Sequence, residues 1–183
     1  MRNSINIKLQ IEKIGNAIDC LIKNNFVESA LILTYAGIDQ MAWLTVADRE
    51  ASSKDFKSWV ESYLNPQKNL GCTSEDLWAA RCGLIHTATA ESRDYFNTKA
   101  KRIYYCSGEF VCTENTSTDT VVINSTNFIC IFIAGCVDFV NYLESNETVL
   151  GIASNKADTV LAFMPTLYKD IHTSKRDFAS TLA

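Results

Sequence analysis

Apolar residues return at helical spacing along most of the first half of the chain. Ile5, Ile7, Leu9, Ile11, Ile14, Ile18, Leu21 and Ile22 predict a helix over about residues 4–24, broken at Asn24-Asn25. A second long helix is predicted from about Val27 to Ala47. Its stripe is Ile32, Ala36, Asp39, Trp43 and Val46, an apolar face with one acid inside it. Ser52 or Ser53 caps a third helix carrying Phe56, Trp59, Val60, Tyr63 and Leu64, which Asn65-Pro66 ends. Thr73 caps a fourth, with Glu75 and Asp76 in the first turn to complement the helix dipole. That helix carries Arg81 and His86 and should fray near Thr87 to Glu91.

The pattern then changes. Arg102 to Cys106 and Thr120 to Ile123 are β-branched and aromatic, and predict two short strands around the polar loop Ser107 to Asp119. A small β-hairpin with a long loop is the expected arrangement. Ser125 or Thr126 caps a helix from Asn127 to about Glu144 that is apolar nearly all round, hence buried. A last helix runs from about Thr148 to Phe163, before Pro165, and the tail from Tyr168 is polar. Only seven Gly and two Pro punctuate the chain, which favours long helices over many short strands. Without a repeat, linker or low-complexity block, residues 1–183 are read as one mainly α domain.

Composition changes this picture little. A net charge of −4 argues against a protein that binds nucleic acid through its global field, so any such contact must use a local patch. The seven cysteines are odd in number and form no CxxC or Cys/His cluster, so neither a metal nor a disulfide framework is expected and a reducing cytosol is. The N-terminal stretch to Lys23 lacks the apolar run of a signal peptide. The longest uninterrupted apolar run, Phe128 to Val137, is short of the roughly 20 residues that span a bilayer. A cytoplasmic protein without membrane contact is therefore expected.

Candidate chemistry concentrates in Arg81-Cys82-Gly83-Leu84-Ile85-His86, which joins a permanent cation to one of only two histidines. Arginine stabilises phosphate charge and histidine moves protons near neutral pH. At about 100° per residue, with Leu77 at zero, Leu84 falls near 340°, Ile85 near 80° and Trp78 near 100°. Arg81 falls near 40°, inside that apolar face, where a charge is costly unless paired. Asp39 carries the same anomaly on the second helix, so the two are expected to pair. His86 falls near 180°, roughly 140° from Arg81 and about 7.5 Å further along the axis. Its side of the helix holds the small residues Ala79, Cys82 and Gly83. Either the helix ends before His86, or a two-fold dimer completes the site across that small-residue surface. The dimer, as the commonest oligomer, is the expectation.

Following two long helices and a shorter one, Arg81-x4-His86 at the end of an amphipathic helix resembles the Arg-x(4–6)-His motif of the HEPN superfamily. Leu77 to Thr87 reads like its motif helix, and Tyr35-Ala36-Gly37-Ile38-Asp39 like its second helix with the acid in place. The resemblance covers roughly residues 5–90. It implies an up-and-down helical bundle, with the hairpin and the C-terminal helices, about residues 101–165, as an elaboration. It also implies a metal-independent endoribonuclease, often dimeric and often part of toxin–antitoxin, phage-defence or RNA-processing systems. Active members often carry a polar residue after the arginine, where this chain has Cys82.

The resemblance implies attack of a 2′-hydroxyl on the adjacent phosphorus, with no metal or cofactor. His86 would serve as general base or acid, Arg81 would stabilise the phosphoryl charge, and Asp39 would hold Arg81. Arg93, Lys99, Lys101 and Arg102 follow the motif and would supply the local basic patch for RNA. Glu91 and Ser92 would line the site. The residues alone also admit plainer roles: a structural Asp39–Arg81 pair, a histidine satisfying helix C-terminal carbonyls, and a solvated basic face. Trp43, Trp59 and Trp78 read as core or interface residues, and His172 has no assigned role. The alternative function is a non-catalytic HEPN-like dimer that binds a nucleotide, RNA or a protein partner such as an antitoxin.

Overall fold

A left-handed asparagine separates the first two helices. α1 (Ile5–Lys23) ends with Asn25 at φ 60°; the Asn25 amide donates to the Ile22 carbonyl at 3.0 Å and the Phe26 amide to Leu21 at 2.9 Å. This is a Schellman closure with asparagine in the place glycine usually takes. α2 (Val27–Leu44) begins at once, so α1 and α2 pack side by side. The computed structural model describes residues 4–47, 50–87, 89, 95, 97, 99–108 and 119–160.

Ser52 and Asp55 form a capping box that starts α3 (Ser53–Tyr63), the Ser52 amide donating to the Asp55 carboxylate at 2.8 Å. Pro66 opens the single turn α4 (Pro66–Asn69), its missing N–H costing nothing in that position. Thr73 caps α5 (Ser74–Thr87) as its sequence predicts. Its hydroxyl accepts from the Asp76 amide at 3.1 Å, and its own amide donates to Asp76 at 2.8 Å. The second oxygen of the buried Asp76 accepts the Lys101 amide at 2.6 Å, tying the start of α5 to the chain entering β1 (Arg102–Cys106).

β1 pairs with β2 (Thr120–Asn124) in parallel, Arg102 opposite Thr120 and Cys106 opposite Asn124. The expected hairpin is therefore overturned. A hairpin needs as few as two linking residues, whereas parallel strands need a crossover of a dozen or more. The stretch from 107 to 119 is long enough to carry the chain back to the start of its neighbour, and most of it lies outside the described residues.

α6 (Ser125–Ser145) follows directly, capped by Asn124, whose side chain accepts from the Asn127 amide at 3.0 Å. The expected caps, Ser125 and Thr126, fall inside the helix; Ser125 is buried and donates to the Cys106 carbonyl at 3.0 Å. By length and composition α6 is apolar enough to cross a membrane. In the fold it is the central helix, touching α1, α2, α3, β2 and α7 (Glu147–Val160), with Phe128, Phe132, Phe139 and Leu143 fully buried. It is not buried all round: Cys130, Val137 and Tyr142 are exposed on its outer face. One core cluster draws on α1, α2, α3, α5, both strands, α6 and α7. The molecule is mainly helical with a small parallel sheet.

Two glycines let α6 sink into its neighbours. A Cβ on Gly37 of α2 would lie 2.5 Å from the Phe132 ring, and one on Gly135 would lie 2.8 Å from Leu64 and 3.0 Å from the Tyr63 carbonyl oxygen. Cys106 is disulfide-bonded, where the sequence led to no expectation of a disulfide framework. Burial pushes the thiols of Cys72 and Cys136 up to about 12, the charges of Asp76 and Glu61 adding to the effect at Cys72.

Gly37→Ala is expected to cost about 1–3 kcal/mol, overpacking against Phe132 outweighing the better helix propensity of alanine. Gly15→Ala, where a Cβ meets only Ile133 at 3.6 Å, should be neutral or stabilising. Urea midpoints of the two variants decide this, and an unchanged midpoint for Gly37→Ala would contradict the packing. Iodoacetamide at pH 8 should modify the exposed Cys20 and Cys130 while sparing Cys72 and Cys136, as read by mass spectrometry. Because the buried thiols hold their protons more tightly when folded, their contribution to stability is complete below about 8.5 and declines as pH rises above it.

Candidate functional site

Asp39 and Arg81 meet across α2 and α5. Arg81 Nη2 donates to Asp39 Oδ2 at 2.8 Å and Nε to the same oxygen at 3.0 Å, with the side chains 20% and 30% exposed. Burial works against the charged guanidinium, and the hydrogen bonds and charge of Asp39 outweigh it, so its pKa is raised further. The Trp78 ring centroid lies 5.1 Å from the guanidinium carbon, and the Cys82 side chain adds to the upward shift.

The pair forms for a different reason than the sequence suggests. The buried face of α2 is Ala30, Leu31, Thr34, Tyr35, Ile38, Met41 and Ala42, while Ile32 is exposed. On α5 the buried residues are Asp76, Leu77, Ala79, Ala80 and Gly83, while Trp78, Arg81, Leu84 and Ile85 are half-buried. Neither charge is inside the core. Both sit at the edge of their helix's buried face, on the seam where α2 and α5 approach.

His86 also departs from the expectation. Its Nε2 lies 3.4 Å from Arg81 Nη1, at the long end of hydrogen bonding, although an ideal wheel turns the two apart. Side chains in a helix lean towards its N-terminus, so His86 leans back over the turn of Arg81, and the long arginine spans the rest. Arginine only donates, so in a hydrogen bond between the two Nε2 is the acceptor. The imidazole is exposed. Of the small residues on the side of α5 expected to receive a second chain, Ala79 and Gly83 are buried within the fold and Cys82 is half-buried.

Beside Arg81 opens a cleft of about 420 Å³. Trp43, Phe56 and Trp78 form its walls, and Asp39, Glu50 and Arg81 are among its charged groups. Trp43 is held by Lys156 of α7, whose Nζ donates to the Trp43 carbonyl at 2.9 Å and lies 4.0 Å from the ring centroid. Trp78 packs edge-on against Phe56 at 5.2 Å. Of the three tryptophans read as core or interface, only Trp59 is a core residue, 4% exposed. A signal for the other two was present in the spacing: Trp43 is four residues from Asp39, and Trp78 three from Arg81, so each shares a helix face with its charge.

The proposed basic patch is only partly gathered. Lys99 is exposed and Lys101 half-buried. Arg102 lies between two aromatic rings, 4.3 Å from the Tyr95 centroid and 5.8 Å from Tyr104, and donates to the Tyr104 hydroxyl at 3.0 Å. Arg93, Glu91, Ser92 and His172 lie outside the described residues. The chain matches no protein-family model, no curated protein and no solved structure.

Asp39→Ala is expected to lower stability by on the order of 1–2 kcal/mol, the range of a partly exposed hydrogen bond to a charged group. It should also release the guanidinium from its fixed position. A chemical-denaturation curve checks the first effect; identical midpoints for Asp39→Ala and the parent would show that the pair holds nothing together.

Proposed function

We propose that this chain is a metal-independent endoribonuclease of the HEPN type, acting as a homodimer. The observation that carries the reading is the Asp39–Arg81–His86 chain of contacts, in which a fixed cation lies beside a histidine. The resemblance of the motif supplies the reaction class. His86, its Nε2 turning from Arg81 to the substrate, removes the proton of an RNA 2′-hydroxyl, and the oxygen attacks the adjacent phosphorus. The bond to the 5′-oxygen breaks, leaving a 2′,3′-cyclic phosphate and a 5′-hydroxyl. Arg81 faces the phosphoryl oxygens with its remaining donors while Asp39 keeps the guanidinium oriented. The leaving oxygen needs a proton. A second copy in a homodimer would bring a second histidine, so that one acts as base and the other as acid. A toxin or defence effector restrained by a partner protein is the setting the resemblance implies.

The aromatic cleft supports a second reading, in which the same surface binds a nucleotide or RNA without cutting it. Single-stranded RNA incubated with the purified chain in excess EDTA separates the two. Cleavage to cyclic-phosphate ends is expected, with Arg81→Ala and His86→Ala each slower by roughly 10²-fold or more. Binding without cleavage would establish the second reading. Cleavage that survives loss of both side chains would remove them from the mechanism, and cleavage abolished by EDTA would contradict a metal-free reaction.

A further inference from the structure

We propose that the cleft beside Arg81 is a nucleobase pocket, in which an unpaired base of RNA stacks on Trp43 and Trp78 while its neighbouring phosphate lies at Arg81 and His86. The proposal rests on the ribonuclease reading for the phosphate, but the pocket itself stands on the cleft's own chemistry.

Position comes first. Arg81 lines the cleft and also touches His86, so one guanidinium borders both places. A ligand in the cleft is one side chain away from the proton acceptor. In a polynucleotide, base and phosphate are joined at this short range.

Charge then narrows the ligand. Asp39 offsets the charge of Arg81 and Glu50 also lines the cleft, so the cleft offers an anion no surplus of positive charge. A cationic ligand meets the opposite objection, since each indole already carries a cation of the chain: Arg81 over Trp78 and Lys156 over Trp43. A neutral, flat, polarisable ring satisfies both constraints. Its N–H groups would find acceptors, because Arg81 occupies only Oδ2 of Asp39, leaving Oδ1, and Gln40 also lines the cleft. Nucleobases combine a π face with exocyclic and ring N–H donors on the edge.

The walls are also built to receive a ring. Trp78 is braced by Phe56 and Arg81, and Trp43 by Lys156, so neither indole has to be ordered when a ligand arrives. The volume of about 420 Å³ falls in the roughly 300–1,000 Å³ range of small-molecule sites. Because a paired base cannot leave its stack without cost, the pocket selects single-stranded over duplex RNA.

Tryptophan fluorescence, titrated with a short single-stranded 2′-O-methyl RNA that lacks the attacking hydroxyl, tests binding apart from cleavage. Quenching is expected, with Trp43→Ala and Trp78→Ala each weakening affinity roughly tenfold or more, and Trp78→Phe recovering most of the loss. Competition by an unlabelled strand, read by filter retention, covers the variants that lose their fluorophore. Ala51→Leu, on the exposed rim of the cleft, should weaken binding without touching the core, which guards against a merely unfolded tryptophan variant. A duplex of the same sequence should bind at least tenfold more weakly. Affinity unchanged in both tryptophan variants and in Ala51→Leu would overturn the pocket, while cleavage of natural RNA, measured separately, would leave the ribonuclease reading standing. AMP binding as tightly as the oligonucleotide would overturn RNA as the source of the base.

Discussion

An arginine held across two helices by one aspartate oxygen is the interaction on which the site depends. Without Asp39, the Arg81 guanidinium would be a long, mobile cation beside two tryptophans. With it, two donors are fixed, and the third nitrogen is left facing His86. The same constraint aligns the cleft, because Arg81 forms part of its wall and lies over Trp78. The pair is partly exposed, so its value lies less in stability than in direction: a surface ion pair contributes little energy, yet it selects one arrangement of a flexible side chain.

That arrangement needs α2 and α5 at a fixed distance, and the rest of the fold supplies it. Asp76 closes the N-terminus of α5 and receives the Lys101 amide, so helix and sheet are anchored through one buried carboxylate. From the other side, α6 presses against α2 through the Phe132–Gly37 contact. Lys156 of α7 reaches back to Trp43 on α2. The C-terminal half therefore shapes the cleft although the motif residues all lie in the first half.

Much of this was legible in the sequence, and the misses have physical causes. Thr73, Ser52 and Asn25 announce helix ends through local chemistry, and the structure has those ends. Asp39 and Arg81 were recognisable as partners because each interrupts an apolar stripe. The stripes themselves were misassigned. In α2 almost every residue from Ala30 to Leu44 is apolar, so period alone does not say which side faces inward, and Thr34, with its hydroxyl bonded to the Ala30 carbonyl at 2.8 Å, is buried while Ile32 is not. The parallel pairing of β1 and β2 was hidden for another reason. Strand composition does not encode direction; only the length of the connection hints at it. The contact between Arg81 and His86 was missed because a wheel places Cα atoms and ignores the reach and lean of side chains.

Whether Arg81 and His86 form one chemical unit is the central question, and a double-mutant cycle on RNA cleavage in EDTA answers it most directly. Rates for the parent, Arg81→Ala, His86→Ala and the double variant would be compared. Residues acting on one transition state are strongly non-additive, so the double variant should be little slower than the slower single one. Independent losses that multiply, or a double variant as fast as the parent, would contradict a shared site.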